Sequence, residues 1–251
     1  MIPRRRKRAR SLVSVPPVVI SASVLAAHNF LVHRTLRPPA DSALNLASAG
    51  ALTAFALRIG CTHAELGLDR ADLGRGLRSG SVGAALCSAA VGIVAAFPPT
   101  RGFFLDARLR GMSRKETVYH ATLRIPVATA VAEEIIFRSV LHALFAREHS
   151  LRTTLTWTSL LFGLWHILPT LDTFEGNPVS NLGENRSSAR LMAALSTTGT
   201  TALAGLFFSY LRLRSRSVTA AVIAHAAINI AALLIGRALI ERAASSTDAQ
   251  P

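Results

Sequence analysis

Apolar residues along this chain fall into long blocks separated by short proline-rich or arginine-rich breaks. Blocks near 12–32, 42–60, 79–98, 119–145, 152–170, 191–211 and 217–240 are each about the ~20 apolar residues a helix needs to cross a bilayer core. The breaks between them differ in chemistry. Arg34–Asp41 contains Pro38-Pro39, Cys61–Arg78 carries Asp69, Arg70, Asp72, Arg75 and Arg78, and Pro98-Pro99 closes the third block. Asp172–Arg190 is rich in Gly, Asn and Ser and reads as a loop. The pattern predicts an all-α fold, a polytopic transmembrane helical bundle of about seven spans.

Arg101–Glu116 breaks this regularity. Phe103, Phe104, Leu105, Leu109 and Met112 interleave with Arg101, Arg108, Arg110, Arg114 and Lys115, as in a short amphipathic helix lying in the membrane interface or a solvated loop. The chain divides into a basic cytoplasmic tail (1–11), amino-terminal spans with this interfacial segment (12–117), a core (118–241) and a small, polar, disordered tail (242–251). Met1–Arg10 before an apolar run resembles the start of a signal peptide. Pro16-Pro17 interrupts that run and no small-x-small cleavage site stands out, so an uncleaved first span with its amino end in the cytoplasm is expected. On that topology the Arg58–Arg78, Arg147–Arg152 and Arg212–Arg216 loops are cytoplasmic, as their charge requires. Arg101–Lys115 falls outside, against the rule, so either it dips into the membrane or the count of spans is off by one.

Composition supports the membrane reading. Half the residues are hydrophobic and 17% are charged, against about 25% in soluble domains, and mean hydropathy is +0.37. The net charge of +14 would suggest nucleic acid in a soluble protein. Here much of the basic excess sits in Arg4–Arg10 and short loops, where positive-inside topology and anionic lipid account for it without nucleic acid as a partner. Cys61 and Cys87 have neither metal spacing nor a disulfide framework.

Charges inside a span are costly, by about 2.5–3.5 kcal/mol or more at the centre, and so mark function. The chain has 14 acidic residues, and almost all lie in loops, span ends or tails; Glu133 and Glu134 lie deep in the fourth span, followed by Arg138 and His142. Glu134 and Arg138, four apart, share a helical face and can pair. Glu133 points about 100° away and is left free for another task. In a soluble helix Glu-Glu-x-x-x-Arg is ordinary surface chemistry; in an apolar span it is not. The fifth span places Phe162 and His166 on one face beside Gly163, with Pro169 bending or ending the span just beyond. The seventh places His225 and Asn229 on one face. A buried histidine alone is more often a satisfied core residue, and a His/Asn pair alone could be helix–helix glue. Together the three spans supply a carboxylate, two imidazoles and an amide, the groups that water-activating hydrolysis needs.

Glu133-Glu134-Ile135-Ile136-Phe137-Arg138, Phe162–His166 and His225–Asn229, in that order on successive hydrophobic segments, resemble EExxxR, FxxxH and HxxxN/D of the type II CAAX prenyl endopeptidase/Abi family (CPBP intramembrane proteases). The resemblance covers about 119–235, and the amino-terminal spans add general hydropathy. It implies an intramembrane endopeptidase with its catalytic cluster in the membrane core and 118–241 as the protease core. Glu133 and His166 would activate water, His225 and Asn229 would stabilise the oxyanion, and Glu134, Arg138 and Phe162 would support the site. No cofactor is certain. Zinc stays open, held by Glu133, His166 and His225, although Asn229 is a poor zinc ligand and a good oxyanion donor, which favours metal-independent chemistry. The implied partners are membrane lipids and a peptide or protein substrate, lipidated or not, with the protein multi-pass in the cell membrane. Prenylated CAAX proteins are one substrate class. The Arg-rich, Lys-poor composition suggests a GC-rich bacterial genome, which leaves bacteriocin maturation, self-immunity and signalling-protein cleavage open. The competing readings are a catalytically silent scaffold or bacteriocin immunity/resistance protein of the same fold and, last, a proton- or metal-coupled transporter.

Overall fold

The computed structural model describes residues 16–36, 39–174, 177 and 185–247. Eight helices account for most of these, and no strand occurs among them. They are α1 (Pro17–Arg34), α2 (Ala40–Arg58), α3 (Leu73–Ala96), a continuous α4 from Arg114 to Glu148, α5 (Leu151–Trp165), α6 (Ile167–Phe174), α7 (Arg186–Ser215) and α8 (Val218–Thr247). The protein is an all-α membrane helical bundle. Among the described residues, three segments are both long and apolar enough to cross a bilayer: Arg70–Ala96, Arg186–Ser215 and Val218–Ser245, with hydropathies of 1.7, 1.4 and 2.2. Their outward faces leave Val82, Leu86, Ile93, Leu203, Leu206 and Tyr210 exposed. Lipid tails would cover such side chains.

The sequence dictates several helix ends. Ser113 and Glu116 form a reciprocal capping box at the start of α4, and Ser150 caps α5 through the Thr153 amide. Arg216 adopts a left-handed φ of 59° in the tight turn from α7 to α8. Within α4, α-helical turns at Arg114–Tyr119, Ala132–Glu134 and His142–Glu148 alternate with π-helical stretches at His120–Val131 and Ile135–Leu141. Pro126 lies in the first π stretch and brings no N–H to its ladder. Widened turns of this kind concentrate at functional sites, and here they flank Glu133 and Glu134.

Small residues set how closely helices approach. On α3, Gly76, Gly80 and Gly83 are buried where α3 packs along α8; a Cβ at Gly80 would fall 2.9 Å from an Ile223 methyl of α8, and one at Gly83 2.6 Å from a Leu211 methyl of α7. Gly163 of α5 meets the α7 backbone even more tightly, since a Cβ there would lie 2.5 Å from the Thr198 carbonyl oxygen. A carbonyl cannot rotate away as a side-chain end can. Gly163→Ala is therefore expected to push α5 off α7 at a cost of about 1–3 kcal/mol. The check is the thermal unfolding midpoint in detergent, which should fall, while Gly199→Ala, whose Cβ faces open space within α7, should hold or raise it.

Outside the spans, Arg147 ties the end of α4 to the loop after α2. Its Nε and Nη2 donate to the Glu65 carboxylate at 3.0 and 2.9 Å, and Nη2 also donates to the Gly60 carbonyl. The bonds from Arg147 hold the Glu65 carboxyl down to about 2, so the link stays formed at ordinary pH.

Three expectations change. Arg101–Glu116 is not one amphipathic helix but two 3-10 turns, Pro98–Phe104 and Ala107–Leu109, before α4 begins. The proline pair starts the first turn, and Gly111, at a φ of +73°, separates the second from α4. The helix of the expected fifth span breaks at His166 rather than at Pro169, which sits in the first turn of α6 where a missing N–H costs nothing. The tail expected from 242 continues α8 through Thr247, while 248–251 and the basic tail 1–11 lie outside the described residues, as does much of the loop 172–190.

Candidate active site

Glu134 and Arg138 pair along one face of α4, as their spacing requires. Arg138 Nη1 donates to Glu134 Oε1, and Nε lies beside Oε2, both at 3.2 Å, with the two side chains 0–1% exposed. The guanidinium is sandwiched among aromatic rings, 3.9 Å from the Phe162 centroid and 5.3 Å from that of Phe208. A Cβ at Gly205 of α7 would come within 2.8 Å of Arg138 Nη2, so a glycine lets that helix close over the charge.

Glu134 has a second partner. His225 of α8 places Nδ1 2.8 Å from Glu134 Oε1, and its ring stacks on Phe208 at 5.2 Å and 18°. A carboxylate accepts, so Nδ1 carries the proton in this bond, and Nε2 is directed elsewhere. His166 is held in the same manner at the end of α5: Nδ1 donates to the Phe162 carbonyl at 2.7 Å, and the Phe162 ring packs against the imidazole at 4.6 Å. Both Nε2 atoms face Glu133. Glu133 Oε2 lies 3.8 Å from His166 Nε2 and 4.0 Å from His225 Nε2, and it is buried without a hydrogen-bond partner.

Three of the expected residues thus converge from three helices around a gap slightly too wide for direct hydrogen bonds. A single water fits such spacing, since each bond to it spans about 2.7–3.0 Å. Asn229, one turn beyond His225 on α8, is half-buried and forms no hydrogen bond to Glu133, His166 or His225. Phe162 contributes its carbonyl and its ring, as a support rather than a reacting group.

No group of three His, Cys, Asp or Glu side chains among the described residues is arranged to hold a metal ion. Glu133, His166 and His225 form no such group as placed, and no step below runs through a metal. A cavity of about 700 Å³ lies along α6 and the start of α7, lined by Thr170, Phe174, Met192 and Thr197 among others. Thr170 donates to the His166 carbonyl, so this space begins one turn from the imidazole.

Sequence reasoning missed residues that contact the end of α5 beside His166. Asn29 of α1 donates to the Trp165 carbonyl at 3.1 Å, and His28 stacks on the Trp165 ring at 5.3 Å and 13°. Both lie in the first apolar block. The rule that singled out Glu133, polar groups inside a span, would have found them too.

In comparison with protein families, residues 115–231 match the type II CAAX prenyl endopeptidase Rce1-like family. No curated protein and no solved structure matches the chain.

Proposed function

We propose, from the match of residues 115–231 to the Rce1-like family of type II CAAX prenyl endopeptidases, that this membrane protein hydrolyses a peptide bond with a water held between Glu133, His166 and His225. The observation that carries the reading is the convergence of one unpartnered buried carboxylate oxygen and two imidazole Nε2 atoms within 3.8–4.0 Å.

A water has two protons to give, and three potential acceptors face it, so all are satisfied when one carries a proton of its own. His225 suits that state: the Glu134 carboxylate faces its Nδ1–H, and a protonated Nε2 would be free to donate. Glu133, aligned with His166, removes a proton from water as the oxygen attacks the substrate carbonyl. The developing oxyanion receives a hydrogen bond from His225 Nε2–H, and Asn229 would supply a second donor once substrate is bound. As the C–N bond breaks, Glu133 returns its proton to the departing nitrogen, leaving a carboxylic acid and an amine, which become carboxylate and ammonium by transfer of the acid's proton to the amine, and restoring the site. Glu134 and Arg138 keep His225 oriented throughout.

The seven-span topology, with the amino end in the cytoplasm and the site within the cell membrane, belongs to the same proposal, as does a lipidated or unlipidated peptide as substrate. A library of prenylated and unprenylated peptides, incubated with the purified full-length protein in proteoliposomes, tests it. Cleavage is expected for the wild type, undiminished after exhaustive chelation, and lost in His166→Ala. No cleavage of any peptide would support a catalytically silent member of the fold, and cleavage surviving His166→Ala would overturn the mechanism.

A further inference from the structure

Glu133 and His166 sit on different helices, α4 and α5, and the gap between them is the feature on which water activation depends. Two helices outside the matched segment reach both sides of that gap. From α1, Asn29 Nδ2 donates to the Trp165 carbonyl, the peptide group leading directly into His166. The adjacent His28 ring stacks on the Trp165 indole. From α2, Asn45 Nδ2 donates at 3.2 Å to the Ala128 carbonyl, five residues before Glu133 and therefore one π turn away.

These two tethers are joined. His28 Nε2 meets Asn45 Oδ1 at 2.8 Å, and Ser48 Oγ meets His28 Nδ1 at 2.9 Å. The amide oxygen accepts, so Nε2 carries the proton and Ser48 donates to Nδ1. His28 is 4% exposed and Asn29 9%. In a bilayer interior such polar groups persist where they are paired, because no water replaces a lost partner.

We propose that His28, Asn29 and Asn45 form a polar brace that sets the Glu133–His166 separation. They are positioning residues, acting through the Trp165 and Ala128 carbonyls and touching no reacting atom. The amino-terminal helices would then be part of the catalytic machinery rather than membrane anchors. The inference rests on the hydrolytic reading above, and it has a consequence that does not depend on activity: loosening either tether should change the environment of the His166 imidazole.

The test uses the full-length protein carrying Asn29→Ala, Asn45→Ala or both, with Ser48→Ala as a milder variant that removes one partner of His28 should either alanine variant fail to fold. With a peptide the wild type cleaves, kcat should fall on the order of 10–100-fold, the scale of a misplacement near 1 Å. KM should stay within about twofold. Because both tethers act on one gap, the double variant should lose little more than the worse single one, whereas independent packing defects would multiply. In histidine-labelled protein, the His166 imidazole nitrogen resonances, assigned with His166→Ala, should shift in each variant. Wild-type kcat in the variants, a multiplicative double loss, or a kcat that merely follows the folded fraction would overturn the brace. If the wild type cleaves nothing, the hydrolytic reading fails. The resonances then decide the brace alone, and unchanged signals refute it.

Discussion

Glu133→Gln should abolish nearly all turnover while leaving the protein folded. Its Oε2 is buried, makes no hydrogen bond, and faces two imidazole nitrogens at 3.8 and 4.0 Å. Glutamine preserves the shape but cannot accept a proton, so the loss should reach the roughly 10²–10⁴-fold that a positioned base contributes. It should appear in kcat, with KM little changed, because the group acts in the transition state. Stability should hold or rise, since an unpartnered buried carboxylate costs free energy that an amide does not. Steady-state kinetics and a thermal midpoint in detergent, taken on the same sample, check both halves. A variant that lost activity by unfolding would point to packing instead.

Arg138→Met should act in the opposite way, through stability first. The guanidinium is buried against Phe162 and Phe208 and holds Glu134 at 3.2 Å. Removing Arg138 leaves the Glu134 charge with only His225 Nδ1–H beside it, at a cost toward the about 3–5 kcal/mol of breaking a buried pair in soluble proteins. Methionine fills much of the volume, so the loss is electrostatic rather than a cavity. The double variant Glu134→Gln/Arg138→Met should recover much of the stability, because the stranded charge is gone. It should not recover activity, since Glu134 also accepts from His225 Nδ1 and a neutral amide orients that ring less firmly. Unfolding of the three proteins in detergent, with cleavage measured alongside, separates the two effects. A double variant no more stable than Arg138→Met would show that the pair does not carry the cost.

Much of this site is legible in the sequence because the bilayer is a strict solvent. Glu134 and Arg138 at i and i+4 in an apolar block could persist as a pair, and they are one. Glu133 is turned away from that pair, as the helical rotation requires, and meets His166 and His225. The link from Glu134 to His225 was not legible, because spacing within one helix says nothing about which partner another helix presents. Nor was the placement of Asn229 relative to the trio. The π stretches of α4 shift side chains off the 3.6-residue period, so face assignments near Pro126 could not be made by counting. Arg101–Glu116 looked amphipathic, but Pro98-Pro99 and Gly111 divide it into short turns. His28, Asn29 and Asn45 were open to inspection as polar residues in apolar blocks, but the contacts of His28 and Asn29 with Trp165 and of Asn45 with Ala128 exist only in three dimensions.

The most direct test of water activation by Glu133 is a single turnover in H2(18)O, using purified wild-type protein in proteoliposomes after chelation and a peptide it cleaves. General-base hydrolysis predicts one 18O in the new carboxylate of the amino-terminal product from the first turnover. An unlabelled first-turnover product, with its oxygen drawn from the Glu133 carboxylate, would contradict the account by showing attack through the side chain.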